Sequence, residues 1–242
     1  DDSGDLSYIS IRHGGALIGE GNEINGLTLG GVGSETFIDN IEIVANLDDG
    51  IEIFGGTVNV SNVFVWSGGD DAIDLDQAWT GTLNNAMVVQ GFDSDSALEL
   101  DGPEGSANGS YTLTNITLIG NTDVAGTGNR RIGDLRDGLQ ANINNVYVSG
   151  FFPTTSLRLN GDKSATAYNN DQILLSDWEI VLPTGVTDIN TLLTLEAVTI
   201  PTTFNTDAAT FATAVTAGSQ TVGADTSAFA WTYANAKAEL GF

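Results

Sequence analysis

Short runs of alternating apolar and polar residues recur along this chain, separated by turns rich in Asp, Asn and Gly. One unit repeats. It runs from an Asn through an alternating strand, an acidic turn closed by Gly or Ala, a second alternating strand, a Gly turn, and a third strand leading to the next Asn. Asn40 precedes Ile41-Glu42-Ile43-Val44, then Asp48-Asp49-Gly50 and Ile51-Glu52-Ile53-Phe54. Asn62 precedes Val63-Phe64-Val65-Trp66, then Asp70-Asp71-Ala72 and Ile73-Asp74-Leu75-Asp76. Asn85 opens a third unit with Asp95-Ser96-Ala97-Leu98-Glu99-Leu100-Asp101, and later units start at Asn115, Asn145 and, with Asp in place of Asn, Asp177. The starts are spaced by 22, 23, 30, 30 and 32 residues. The longer spacings read as bare coils with insertions at Gly102–Gly109 and Asn121–Asp137.

The register is constant. Ile38, Val60, Leu83, Leu113 and Ile143 each lie two residues before the recurring Asn, and Ile41, Val63 and Ile116 continue the interior beyond it. Alternation of period two puts all of these inside. Three short strands per turn, with no room for a crossover helix, predict an all-β chain: a right-handed, three-sheeted parallel β-helix. A propeller would need about 40 residues per blade. Coils stacked at about 4.8 Å turn equivalent residues into columns, and the Asn column becomes an amide ladder. The pattern fades after Val181. Residues 1–182 are therefore expected to form the β-helix, with its first strand at Tyr8–Ile11. Residues 183–242 are expected to form a C-terminal cap with short helices over Asp207–Ala217 and Thr226–Leu240, N-capped by Thr206 and Thr226. An uncapped stack would expose strand edges and core.

Composition narrows the function. Across 242 residues, 41% are hydrophobic, which fits a packed domain, and there is no Cys, so disulfides and thiolate metal sites are excluded. Seven Lys and Arg against 32 Asp and Glu give a net charge of −25. Nucleic acid and anionic membrane surfaces are excluded as partners, because both require a basic face. No apolar run is long enough to span a membrane. The acidity and the fold suit a secreted or cell-surface bacterial protein, and the opening Asp-Asp-Ser-Gly-Asp suits a mature or trimmed chain.

The acid is patterned. With the coils registered on Gly50, Ala72 and Ala97, Asp49, Asp71 and Ser96 lie one place before, and Asp48, Asp70 and Asp95 two places before. Glu52, Asp74 and Glu99 face outward two places after, and Asp76 and Asp101 follow. Two exposed carboxylates about 5 Å apart repel by roughly 1 kcal/mol, and by more where water is excluded. Arg158 is the one cation expected at a similar strand position. Ca²⁺, a hard cation that takes carboxylate and carbonyl oxygens, would relieve the strain through Asp48, Asp49, Glu52, Asp70, Asp71, Asp74, Asp95 and Glu99. Raised carboxylate pKa values or a solvated acidic edge are the alternatives.

Asn46-Leu47-Asp48-Asp49-Gly50 followed one coil later by Gly69-Asp70-Asp71 resembles the polygalacturonase family of β-helix glycosidases. That resemblance implies an inverting hydrolase using Asp49, Asp70 and Asp71, with carboxyls set about 6.5 to 9.5 Å apart. The pattern departs from the family on the next coil, where Ser96 stands in place of His, and no Arg-x-Lys follows. Arg130, Arg131 and Arg136 fall in a loop expected two coils away. The stretches Ser10–Gly15, Gly21–Gly33 and Asp48–Glu52 are also similar to uncharacterised secreted β-helix proteins of marine bacteria, which implies export but no activity.

The remaining candidates are weaker. His13, the single histidine, sits on the first strand, away from the carboxylates. Gly30-Gly31-Val32-Gly33 lacks the Lys-Ser/Thr of a phosphate loop and reads as a coil turn. A lyase needs a basic residue to abstract a proton, and basic residues are scarce. Outward Phe64, Met87 and Tyr147 suit either a sugar-stacking platform or a face covered by a loop or a second copy in self-association. Two functions remain. One is a calcium-stabilised extracellular module for surface display, adhesion or polysaccharide binding, with polysaccharide or cell-surface components as partners. The other is an inverting glycoside hydrolase.

Overall fold

The computed structural model describes residues 1–19, 24–121 and 131–237. It is a parallel β-helix. Among the described residues, the strands form two parallel sheets rather than three. The long sheet contains β1 (Asp5–Arg12), β3 (Phe37–Val44), β5 (Asn59–Trp66), β7 (Thr82–Val89), β9 (Tyr111–Ile119), β11 (Ala141–Ser149), β13 (Ile173–Ile180) and β15 (Ala212–Ala214). The short sheet contains β2 (Leu27–Gly30), β4 (Ile51–Phe54), β6 (Ile73–Asp76), β8 (Leu98–Leu100), β10 (Gly133–Leu135), β12 (Leu157–Asn160) and β14 (Leu193–Glu196). All pairings run coil to coil in constant register, as between Ile41, Val63 and Ala86.

The expected third sheet is absent because the two strands flanking each Asn are continuous through it. Asn40, Asn62, Asn85, Asn115 and Asn145 have φ of 55°, 53°, 63°, 60° and 59°, and Asp177 has 56°. Asn and Asp enter this left-handed region more readily than other residues with a Cβ. One such residue folds the strand without breaking its ladder and shifts the alternation by one place. Ile38 and Ile41, three apart, therefore both point inward and are both buried. The long sheet is creased along the Asn column.

The amide ladder is discontinuous. Asn85 Nδ2 donates to Asn62 Oδ1 at 2.6 Å, and Asn145 Nδ2 donates to Asn115 Oδ1. Asn115 donates instead to Asn84 Oδ1 at 2.7 Å, and Asn62 to Asp39 Oδ1 at 2.7 Å. The crease is the feature common to the column, and the ladder is built on parts of it.

The C-terminal third departs from the sequence expectation in three ways. A nine-residue helix, α1 (Gly161–Asn169), fills the connection between β12 and β13, where earlier coils have only a turn. Gly161 enters it at φ 81°, and Ser164, Ala165 and Ala167 are buried. The coils also continue beyond Pro183: β14 pairs with β12 and β15 pairs with β13. A helix, α2 (Ala208–Phe211), falls within the first expected helical stretch, but β15 follows it directly. The second expected helix is reduced to a 3-10 turn at Thr226–Phe229 and α3 (Tyr233–Lys237), and Leu240 lies outside the described residues.

Residues 215–237 form a strap along the stack. They lie over one outward column of the long sheet, formed by Ser10, Glu42, Phe64, Met87, Thr117, Tyr147, Glu179 and Thr213. Thr221 donates from N and Oγ1 to Glu179 at 2.6 and 2.7 Å. Ala224 N donates to Thr117 Oγ1 at 2.9 Å. Phe229 packs on Phe64 with ring centroids 5.6 Å apart, and Ala234 N donates to Glu42 Oε1 at 3.0 Å. Trp231 meets Tyr8 edge-on at 5.4 Å, and Arg12 lies over the Tyr233 ring. The outward Phe64, Met87 and Tyr147 are thus buried by the chain's own tail rather than presented as a platform.

Candidate functional site: a carboxylate strip on the short sheet

The short sheet places one outward residue of each coil above the next. Thr28, Glu52, Asp74, Glu99, Asp134, Arg158 and Thr194 form a single file. Parallel strands lie about 4.8 Å apart, so like charges are forced together. Beside this file runs a second, at the turn entering each short strand. Gly26 N, Gly50 N and Ala72 N donate to the carbonyls of Asp49, Asp71 and Ser96 at 2.9, 2.9 and 3.0 Å. This aligns Asn25, Asp49, Asp71 and Ser96. Asp48, Asp70 and Asp95 flank them.

Side-chain oxygens of the second file also tie the coils together. Asp71 N donates to Asp49 Oδ1 at 3.0 Å, and Ser96 N donates to Asp71 Oδ1 at 2.6 Å. Asp49 and Asp71 are buried, whereas Asp70 is exposed. The sequence-predicted residues therefore come together as four overlapping triads: Asp48–Asp49–Asp70, Asp49–Glu52–Asp74, Asp70–Asp71–Asp95 and Asp74–Glu99–Asp101. In each, one oxygen from every member lies within 4.8 Å of the others.

Burial and mutual repulsion oppose ionisation. Burial, then the charges of Asp71, Asp48 and Glu52, push Asp49 up to about 9. Burial and the neighbouring Glu99 push Asp71 to about 8. Burial, with Asp49, Glu99, Glu52 and Asp101 around it, pushes Asp74 to about 10. Burial also raises Glu52, Asp70 and Glu99. Asp101 rises to about 7, restrained by Arg136.

Cations cover only part of the strip. Arg131 Nη1 donates to Asp95 Oδ2 and Ser96 Oγ, both at 3.0 Å. Arg136 pairs with Glu99 and, at 2.8 Å, with Asp101. Arg158 pairs with Asp134 and, at 2.7 Å, with Glu196. Arg131 and Arg136 lie two coils beyond Asp70 and Asp71, as expected, and from there pair with acids of the intervening coil; residues 122–130 of the expected insertion lie outside the described residues. Arg130 lies outside the described residues. Among the described residues, Asp49, Glu52 and Asp74 pair with no basic side chain, and Asp74 Oδ1 is buried without a hydrogen-bond partner.

Four contributors are additional to the sequence reading: Asn25, Asp134, Arg131 and Arg136. Asn25 donates to Glu52, and its Oδ1 is buried and unpartnered. Its signal was present, since Asn25-Gly26-Leu27 aligns with Asp49-Gly50-Ile51. Asp134 likewise repeats the apolar–acid–apolar pattern of the short strands.

The oxygens fit a hard cation. Ca²⁺ binds oxygen at 2.3 to 2.6 Å, so two ligands of one ion lie no more than about 5 Å apart. The triad Asp49–Glu52–Asp74 meets this limit, and the Asn25 amide adjoins it at Glu52.

Fold and strip together define an acidic parallel β-helix. The chain matches the pectate-lyase like beta helix domain over residues 1–235 and belongs to that family. No curated protein and no solved structure matches it.

Proposed function

We propose that this protein is an extracellular β-helix module of bacterial surfaces, stabilised by Ca²⁺ and used for display, adhesion or polysaccharide binding. One observation carries the calcium reading. Arginines neutralise the strip at Asp95, Glu99, Asp101 and Asp134, while Asp49, Glu52 and Asp74 have no such partner among the described residues. A divalent ion held by those three carboxylates and Asn25 Oδ1 would supply there the charge that arginine supplies further along. Membership of a pectate-lyase like family supports a polysaccharide-related role.

The inverting-glycosidase alternative requires Asp49, Asp70 and Asp71 at an open groove. Of these, only Asp70 is exposed, and Asp49 and Asp71 each commit an oxygen to a backbone N–H of the next coil. The burial therefore favours the scaffold reading.

The test is a thermal melt in EGTA and in millimolar calcium. A ligand at 100 times its Kd stabilises by about 2.7 kcal/mol, a visible shift in midpoint. The shift should disappear in Glu52→Gln/Asp74→Asn. An unchanged midpoint in the wild type would overturn the calcium reading.

A further inference from the structure

A second candidate site shares no residue with the strip. The end of α1, the start of β13 and the segment 201–211 enclose a cleft of about 610 Å³. That is within the range of small-molecule sites, about 300 to 1,000 Å³. Its walls include Tyr168, Asp171, Leu174, Pro201, Thr202 and Asp207.

Three features say what would fit. First, hydrogen-bonding capacity is left over. Asp207 Oδ2 accepts from Tyr168 Oη at 3.3 Å and from Thr203 Oγ1, which leaves Oδ1 without a hydrogen-bond partner among the described residues. The carboxylate of the exposed Asp171 forms no hydrogen bond or ion pair among the described residues. Second, the floor has an apolar patch out of keeping with its column. Leu174 pairs in register with Asn142, and Asn142 with Thr112, yet Leu174 is 49% exposed at the cleft. Pro201 adds a second apolar surface. Third, among the described residues no Lys, Arg or His lines the cleft, so an anionic ligand would meet two carboxylates and no cation from them.

Unused carboxylate acceptors, threonine hydroxyls and an apolar floor complement a pyranose ring, which offers hydroxyl donors at its edge and C–H groups on its faces. A simple cation would use the carboxylates but gain nothing from Leu174 or Pro201. We propose that this cleft binds a neutral saccharide unit, with Asp171 and Asp207 accepting ring hydroxyls and Leu174 and Pro201 lying against the ring. The proposal is independent of the carboxylate strip and of calcium.

The test is isothermal titration of the full chain in EGTA with neutral tetrasaccharides of glucose, mannose, xylose and galactose. Tetragalacturonate and spermidine serve as the anionic and cationic comparators. The expected result is binding of at least one neutral tetrasaccharide, weakened about tenfold or more by Asp171→Gly, which keeps easy access to the left-handed φ of 55° at that position, and by Leu174→Asp. Both residues are exposed, and unchanged melting midpoints will verify that each variant folds. Binding should persist in Glu52→Gln/Asp74→Asn. Absence of binding to every neutral tetrasaccharide would overturn the proposal, as would binding of spermidine alone. Binding insensitive to both cleft variants, or abolished by the strip variant, would place the saccharide elsewhere and overturn it as well.

Discussion

Arg158 and Asp134 face each other across β12 and β10, with the guanidinium donating from Nε at 3.0 Å to one carboxylate oxygen and from Nη2 to the other. Asp134 is 1% exposed, so this fork replaces its hydration. Removing one partner of a buried pair strands the other charge. Arg158→Ala should cost about 3 to 5 kcal/mol in urea unfolding, whereas Arg158→Met combined with Asp134→Leu should restore most of it.

The unpaired half of the strip sets the pH dependence. Asp49, Asp71 and Asp74 rise from 3.8 to about 9, 8 and 10 in the folded chain. Because their folded pKa values lie above the unfolded ones, the native state binds more protons between those limits. Their contribution is fully present below about pH 4 and is lost as pH rises through about 8 to 10. In EGTA the melting midpoint should be higher near pH 5 than near pH 9. Calcium requires the ionised carboxylates, so adding it should raise the midpoint most at the alkaline end. A midpoint in EGTA that rises steadily to pH 9 would contradict this assignment.

Metal-free protein should tolerate the loss of strip charges. Asp74→Asn removes a buried acid with an unpartnered oxygen and relieves its repulsion with Asp49, Glu99 and Glu52. In EGTA at alkaline pH the variant should melt at or above the wild type. In millimolar calcium the order should reverse, as read by differential scanning calorimetry.

The strap couples coils that otherwise touch only their neighbours. A solenoid's stability is approximately a sum of repeat and nearest-neighbour terms. Ala234 reaches Glu42 across 192 residues of sequence, and Phe229 seals Phe64. Phe229→Ala should cost about 3 to 5 kcal/mol. It should also protect the first coils less against hydrogen exchange than the central ones. Truncation after residue 214 should expose Phe64, Met87 and Tyr147 and increase binding of an apolar dye.

The crease and the ladder can be separated at Asn62. Asn62→Gly keeps easy access to the left-handed conformation and loses only the hydrogen bonds to Asn85 and Asp39. Asn62→Ala loses both and should be less stable than the Gly variant by about 1 kcal/mol in urea unfolding. Equal stabilities would show that the backbone conformation contributes little.

The periodic part of this protein was written in its sequence. Ile38, Ile41, Ile51 and Ile53 and their counterparts one coil on are buried as their spacing predicted, because a side chain's face follows directly from strand alternation and coil length. The same logic aligned Asp49 with Asp71 and Glu52 with Asp74. What the spacing could not give was a contact that depends on where a non-repeating segment travels. The left-handed φ at each Asn joined two expected strands into one. Arg131 and Arg136, read from the sequence only as loop residues, pair with Asp95, Glu99 and Asp101 of the preceding coil. Residues 183–237, lacking a clear period, supplied β14, β15 and then the strap over Phe64. Local alternation determines repetition, burial and stacked charge. Which charges Arg131 and Arg136 neutralise, and which outward face is covered, was decided only by long-range packing, since those partners are 35 to 192 residues apart and share no fixed spacing.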